Sequence, residues 1–256
     1  MKTQFQSKSL RILFVVVIIF GIIVGIILRF PTQPSTPNFS DFKAGKERKM
    51  AFFSYFAPLI DENNQSIENT RKQLLSWHKN KGNISWWDER KLVDLAIQYR
   101  VKNFTIDDEE SWQKLLKRVD VLPPSLVLAQ AANESAWGTS RFAKVANNYF
   151  GQWCYEKGCG FVPMQRSAGE VHEVAAFDTP VASLESYMNN LNSHPAYQLL
   201  RDIRAQRRKQ NQPITGSALA AGLIKYSQRG EEYIEEIRAM IKFNALNKYN
   251  QNINNN

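Results

Sequence analysis

A chain of 256 residues with 43% hydrophobic residues, 12 Gly and 10 Pro has the composition of a folded protein, with enough length for one sizeable core and a small extra module. That composition excludes a disordered chain. The net charge of +9 favours an anionic partner, whether a cell-wall polymer, a lipid headgroup surface or nucleic acid, without choosing among them.

Residues 1–11 carry Lys2, Lys8 and Arg11 and read as a short cytoplasmic tail. Ile12–Leu28, ILFVVVIIFGIIVGIIL, is an uncharged apolar run of about 17 residues, at the lower edge of what spans a bilayer as a helix. A cleaved signal peptide has a shorter apolar core, roughly 7 to 15 residues, and a small-x-small cleavage site, whereas RFPTQPSTP follows here. The pattern predicts a transmembrane signal anchor over residues 12–29, with a cleaved secretory signal as the rival and the remainder exported. Residues 30–49, Pro- and Ser-rich with charges, read as a linker.

A helical extension is expected over residues 50–121. Met50 to Ala57 is aromatic-rich up to Pro58, and Ile60, Ile67, Leu74 and Leu75 share one helical face. Ser85-Trp-Trp-Asp88 resembles a capping box ahead of Leu92, Leu95, Ala96 and Tyr99, and Trp112, Leu115, Leu116 and Val119 form a further stripe. Pro123-Pro124 opens a new helix through SLVLAQAANESAW, which Gly138 can stop in the left-handed conformation.

From Tyr149 to Phe177 helix signals fade, and FVPM and VHEVAAF between glycines fit a small hairpin. Cys154 and Cys159, in CYEKGC, are near enough for a loop-closing disulfide in an oxidising compartment, with free thiols as the alternative. Two cysteines, with His78, His172 and His194 in unrelated segments, give no zinc spacing, so no metal and no cofactor is expected. The chain has no GxGxxG, P-loop or GxSxG. Thr179-Pro180 then caps a helix with Leu184, Tyr187, Met188 and Leu191, and further stripes follow through Ile241 before a polar tail, 244–256, expected to be disordered. The fold class is α+β, mainly α, with a small β-hairpin insert behind one N-terminal transmembrane helix.

One carboxylate stands out. Glu134 lies between Ala131-Ala132 and Ala136-Trp137, where few polar neighbours would support its charge. Burial against an aromatic disfavours the ionised form and raises the pKa, which makes a proton donor at neutral pH. Lysozyme holds its general-acid glutamate in this way, to protonate a glycosidic oxygen. A solvated residue on an amphipathic helix is the competing reading.

LAQAANESAWGTSRFAKVANNYFGQW resembles the signature of the bacterial glucosaminidase family, glycoside hydrolase family 73, which carries A-x-x-E-[ST]-x-W-G-x-S and then N-N-x-F-G. AAFDTPVASLESYMNNLNSHPAYQ and LIKYSQRGEEYIEEI are similar to its later segments, and FFSYFAPLI with the C-x4-C insertion resembles its Bax-like subgroup. The resemblance places a glucosaminidase domain at residues 122–243. It implies a lysozyme-like fold and cleavage of peptidoglycan strands after N-acetylglucosamine, with the anchor in a bacterial inner membrane and the domain in the periplasm or cell-wall space.

By motif position Glu134 is the general acid and Tyr226 lies near the reaction centre. Trp137, Asn147, Asn148 and Phe150 would contact the sugar, against a reading of NNYFG as a turn around a buried Phe. Two departures stand out. The late element lacks the family's Asp-Pro, and a second carboxylate has only Glu170 and Glu173 as candidates. If neither faces Glu134, the substrate's acetamide can act as nucleophile. Arg201, Arg204, Arg207, Arg208 and Lys209 read as a solvated helix face or an anion-holding patch. Nucleic acid is disfavoured by export. A non-catalytic peptidoglycan-binding protein and a lytic transglycosylase are the alternative functions.

Overall fold

A computed structural model describes residues 35–163, 169 and 171–254. The chain divides into two units, Met1–Thr36 and Pro37–Asn256. The first lies almost wholly outside the described residues, and the fold is that of the second.

The second unit opens with a 3-10 turn, Phe39–Asp41, whose Asn38 side chain accepts the Ser40 N–H at 3.2 Å. Helix α1, Lys46–Lys79, follows at once. Pro58 sits inside it and, lacking an N–H, cannot donate to the Ser54 carbonyl one turn back; both residues are exposed. The buried stripe of α1 is Phe52, Phe53, Phe56, Ile60, Ile67 and Leu74.

Helices α2, Trp86–Gln98, and α3, Glu109–Arg118, are capped by Ser85 and Asp108, whose side chains accept first-turn N–H groups. They pack Leu92, Leu95, Trp112 and Leu115 with Leu74 in a core of their own.

The main core surrounds α4, Pro124–Glu134, in which every residue from Ser125 to Ala132 is buried. Around it stand α5, Arg141–Ala146; α6, Pro180–Ser193; α7, Gln198–Lys209; α8, Gly216–Leu219; and α9, Glu231–Phe243. Three short strands, β1 Trp153–Cys154, β2 Gly160–Phe161 and β3 Glu173–Ala175, form an antiparallel sheet in the order β1-β3-β2. Trp153 pairs with Val174 on one side of β3, and Phe161 pairs with Val174 on the other. The expected hairpin thus carries a third strand, because β3 returns between the two.

Several expectations are corrected. The N-terminal membrane helix is removed from the fold class: among the described residues no helix is long and apolar enough to cross a membrane. The longest, α1, interleaves Glu and Lys with its apolar stripe. The expected span over residues 12–29 lies outside the described residues, so the membrane as partner and a single-pass inner-membrane location have no support. The linker expected over 30–49 gives way, from Phe39, to packed structure. Phe39 is 1% exposed, and a Cβ on Gly138 would lie 2.2 Å from its ring, so that contact needs a glycine. The KERK run belongs to the first turn of α1. The tail expected to be disordered forms a 3-10 helix, Leu246–Asn250, and α10, Gln251–Asn254. Leu246 and Ile253 are buried, and the Asn250 side-chain Oδ1 accepts the Ser125 N–H of α4 at 3.0 Å. Polar composition hid both contacts.

Candidate active site

The buried stripe of α4 ends one turn before an acid. Gln130 is fully buried and Glu134, four residues on along the same face, is half-buried at the last helical position. Ser135 closes the helix: its hydroxyl donates to the Ala131 carbonyl at 2.6 Å and accepts the Gly138 N–H at 2.8 Å. Ala136, Trp137 and Gly138 then take left-handed φ values of 49°, 60° and 76°. The sequence pattern placed only Gly138 there. Two side-chain-bearing residues in this region cost about 1–2 kcal/mol each, so packing must hold them. It does: the Trp137 ring lies 5.3 Å from Phe53 and 5.9 Å from Phe52, with the Lys49 ammonium 4.8 Å from its centroid.

Trp137 is therefore an anchor against α1, and the aromatics around Glu134 are tyrosines. The Tyr233 hydroxyl donates to Glu134 Oε1 at 2.7 Å and accepts from Gln130 Nε2 at 2.9 Å. The Tyr187 hydroxyl in turn donates to Gln130 Oε1. Tyr226 stacks on Tyr233, centroids 5.4 Å apart and planes 10° apart, and its hydroxyl donates to the Phe150 carbonyl at 2.7 Å. Glu134 Oε2 faces Gly151, where φ is 60° and an added Cβ would come within 3.2 Å of that oxygen.

Burial raises the Glu134 pKa above the ordinary carboxylate value, against the opposing hydrogen bonds from Tyr233 and Asn133 and the charge of Arg229. Burial, followed by the charge of Glu134, also raises the Tyr233 pKa. Burial does the same at Tyr226, so both phenols keep their protons and act as donors. The Arg229–Glu236 ion pair lies within electrostatic reach of Glu134, and the Arg229 guanidinium is 5.6 Å from the Tyr233 centroid.

The NNYFG residues work on the backbone. Asn147 takes a left-handed φ of 49° at the end of α5, and its amide donates to the carbonyls of Phe177 and Asp178 at 2.9 and 3.1 Å. Asn148 is buried; its amide donates to the carbonyls of Gln152 and Ala175, both at 2.9 Å, and its oxygen accepts the N–H groups of Phe150 and Gln152. Phe150 is 1% exposed and stacks on Tyr187 at 4.0 Å. These three side chains build the turn that sets Gly151 against Glu134 and aims the Phe150 carbonyl at Tyr226.

Of the two candidate second carboxylates, only Glu173 lies among the described residues, and it is engaged by its own loop and not by Glu134. Glu173 is buried in β3, where its oxygens accept the Gly158 N–H at 3.1 Å and the Gly160 N–H at 2.9 Å. Glu170 lies outside the described residues. Cys154 and Cys159 form a disulfide closing the loop that Glu173 holds. Those two sulfurs and the Glu173 carboxylate are the one grouping of three candidate metal ligands among the described residues, and the sulfurs are bonded to each other. In place of Asp-Pro, the late element turns on Ser227, whose hydroxyl accepts the Arg229 N–H at 3.3 Å and whose carbonyl accepts the Gly230 N–H at 3.1 Å.

The arginine cluster is divided: Arg201 and Arg204 are buried, Arg207 and Arg208 are half-buried, and Lys209 is exposed. Arg204 is fully buried, donating to the carbonyls of Lys117, Asp120 and Val121, and Arg208 donates twice to buried Asp120 at 2.6 and 2.7 Å. Sequence reasoning missed Gln130, Tyr187 and Tyr233 as site residues. The last two sit in apolar stripes and bury their rings as the stripes require; the available signal was that each also carries a hydroxyl that burial obliges to find a partner.

The family model described as "Glucosaminidase: Mannosyl-glycoprotein endo-beta-N-acetylglucosaminidase" matches residues 109–246. "Protein bax" of Escherichia coli (strain K12) is 36% identical over 210 residues, which cover 82% of this chain and 74% of that protein. The crystal structure of the catalytic domain of the autolysin Auto from Listeria monocytogenes aligns over 90% of this chain and 96% of that one at 16% identity, with a TM-score of 0.40. That likeness is too weak to argue from.

Proposed function

Because the chain belongs to the glucosaminidase family and carries its glycoside hydrolase domain, we propose that it cleaves the β-1,4 bond after N-acetylglucosamine in peptidoglycan, with Glu134 as general acid. The observation that carries the assignment is the half-buried Glu134, raised in pKa and held through one oxygen by Tyr233. Since Tyr233 donates to Oε1, the acidic proton belongs on Oε2, the oxygen beside Gly151. That proton passes to the glycosidic oxygen as the C1–O bond breaks. Tyr226 acts as a positioning residue: it stacks on Tyr233 and holds the carbonyl of Phe150, the residue before Gly151.

The engagement of Glu173 with its own loop favours the substrate's acetamide oxygen as the group that attacks C1. Water then opens the cyclic intermediate, with Glu134 taking its proton.

Digestion of purified peptidoglycan followed by borohydride reduction tests the reading. New N-acetylglucosaminitol ends are expected. Anhydromuramyl ends would indicate a lytic transglycosylase, and no new ends a binding protein.

A further inference from the structure

Arg118, at the end of α3, and Arg201, in the first turn of α7, line a hollow of about 310 Å³. Each guanidinium is fixed by one nitrogen. Arg118 Nη1 donates to the carbonyls of Tyr99 and Arg100 at 2.8 and 2.7 Å, and Arg201 Nη1 donates to those of Leu191 and His194 at 2.9 Å each. Among the described residues neither has a carboxylate within ion-pair distance, although Arg201 is only 2% exposed. Lys114 and Lys117 also line the hollow, each held by an acid: Glu110 at 2.7 Å and Asp202 at 2.8 Å. Gln113 and Gln198 add amides.

The same helix shows how the fold treats a guanidinium that serves structure alone. Arg204 and Arg208, one and two turns further along α7, both meet Asp120. At Arg118 and Arg201 no carboxylate of the described residues lies within ion-pair distance. Burial, then the charges of Arg118 and Arg204, bring the Arg201 pKa down to about 10 despite Asp202. Burial and the charge of Arg100 also lower that of Arg118. Like charges packed together and partly dehydrated gain from an added anion, and two preset guanidinium forks match the oxygens of a carboxylate or phosphate.

We propose that this hollow binds an oxyanion, a carboxylate or phosphate group, through Arg118 and Arg201 with Lys114 and Lys117 at the rim. The group comes from a peptide carboxylate of the wall polymer, a source that rests on the proposed function, or from free phosphate.

The test titrates the full chain with inorganic phosphate and with N-acetylglutamate, following arginine Nε–H resonances. One saturable site is expected, with Arg118→Gln weakening it about tenfold or more, the loss of one charge-assisted contact. Lys114→Glu, at the exposed rim, leaves both guanidiniums in place and is expected to weaken binding severalfold, which guards against a folding defect in the first variant. No saturable binding at millimolar concentrations, or equal affinities in wild type and both variants, overturns the site. Cleavage of peptide-bearing and peptide-stripped glycan then identifies the source. A raised KM in Arg118→Gln only on the peptide-bearing polymer supports the peptide carboxylate. Unchanged KM on both, with phosphate binding lost, supports free phosphate. The titration needs no turnover, so an inactive chain that still binds the anions would sink the hydrolase reading alone.

Discussion

Replacing Tyr233 with Phe keeps the ring on Tyr226 and removes two hydrogen bonds from one point. Glu134 Oε1 loses its 2.7 Å donor, and Gln130 Nε2, fully buried, loses its acceptor. A hydrogen bond to a neutral group contributes about 0.5–1.5 kcal/mol, and an orphaned buried amide costs about 1–3 kcal/mol. The two overlap, since both pass through the same hydroxyl, so a net loss of about 2 kcal/mol is expected. For a chain of this size that lowers Tm by about 4–8 °C. The catalytic effect has a definite sign. The Tyr233 hydrogen bond favours the ionised form of Glu134, so its removal raises the Glu134 pKa further. The alkaline limb of the kcat/KM profile on peptidoglycan should move to higher pH, while kcat falls because Oε2 is no longer aimed. Thermal unfolding by circular dichroism and reducing-end release across pH measure both. A variant with wild-type kcat and an unmoved alkaline limb would show that Tyr233 does not hold the working acid.

Glu134→Gln should lower product release by about 10²–10⁴-fold, the usual worth of a general acid, with the fold intact. Its stability effect follows from linkage: the raised folded pKa gives wild type a contribution fully present below the ordinary value of 4.5 and lost as pH rises through the folded pKa. The Tm of the variant should therefore gain on wild type between acid and neutral pH, and a constant difference would refute the raised pKa. Gly151→Ala forces a Cβ to 3.2 Å from Oε2 at φ 60° and should cost more than tenfold in kcat/KM for a loss of about 1–2 kcal/mol in stability; near-normal turnover would show that Oε2 does not face substrate there. Phe39→Ala should destabilise by about 3–5 kcal/mol in urea unfolding, whereas a linker residue would give a change near zero.

The partly buried carboxylate was legible in the sequence because a helix stripe of Leu, Val and Ala leads straight into Glu134, and burial raises its pKa whichever aromatic does the covering. The covering aromatic was not legible. Trp137 is nearest in sequence, but three left-handed residues swing it onto α1, and periodicity carries no information about such a reversal. The asparagines of NNYFG were read from residue type, as sugar ligands or as a turn. Only coordinates reveal that four backbone groups saturate Asn148. Arg204 illustrates the same limit: a run of arginines reads as solvated until a bend at residues 117–121 offers it carbonyls and Asp120.

The contacts of Trp137 also tie residues outside the matched family segment to the chemistry. Phe52 and Phe53 hold the indole, and Phe39 fills the space that Gly138 leaves. Phe39 and Phe56 also pack against Tyr149, two residues before Gly151. Both loops that define the site, the one after Glu134 and the one carrying Gly151, thus rest on residues 39–56, whereas the family match begins at residue 109. The acid's geometry is set by a catalytic segment and a shelf from a different part of the chain. Strain in the loop at 136–138 persists only while that shelf is present. Loss of the shelf would release Trp137, let the end of α4 relax, and expose Glu134 to water. Its pKa would then return toward the ordinary carboxylate value, which would weaken it as the proposed proton donor, with every residue of the family motif still in place.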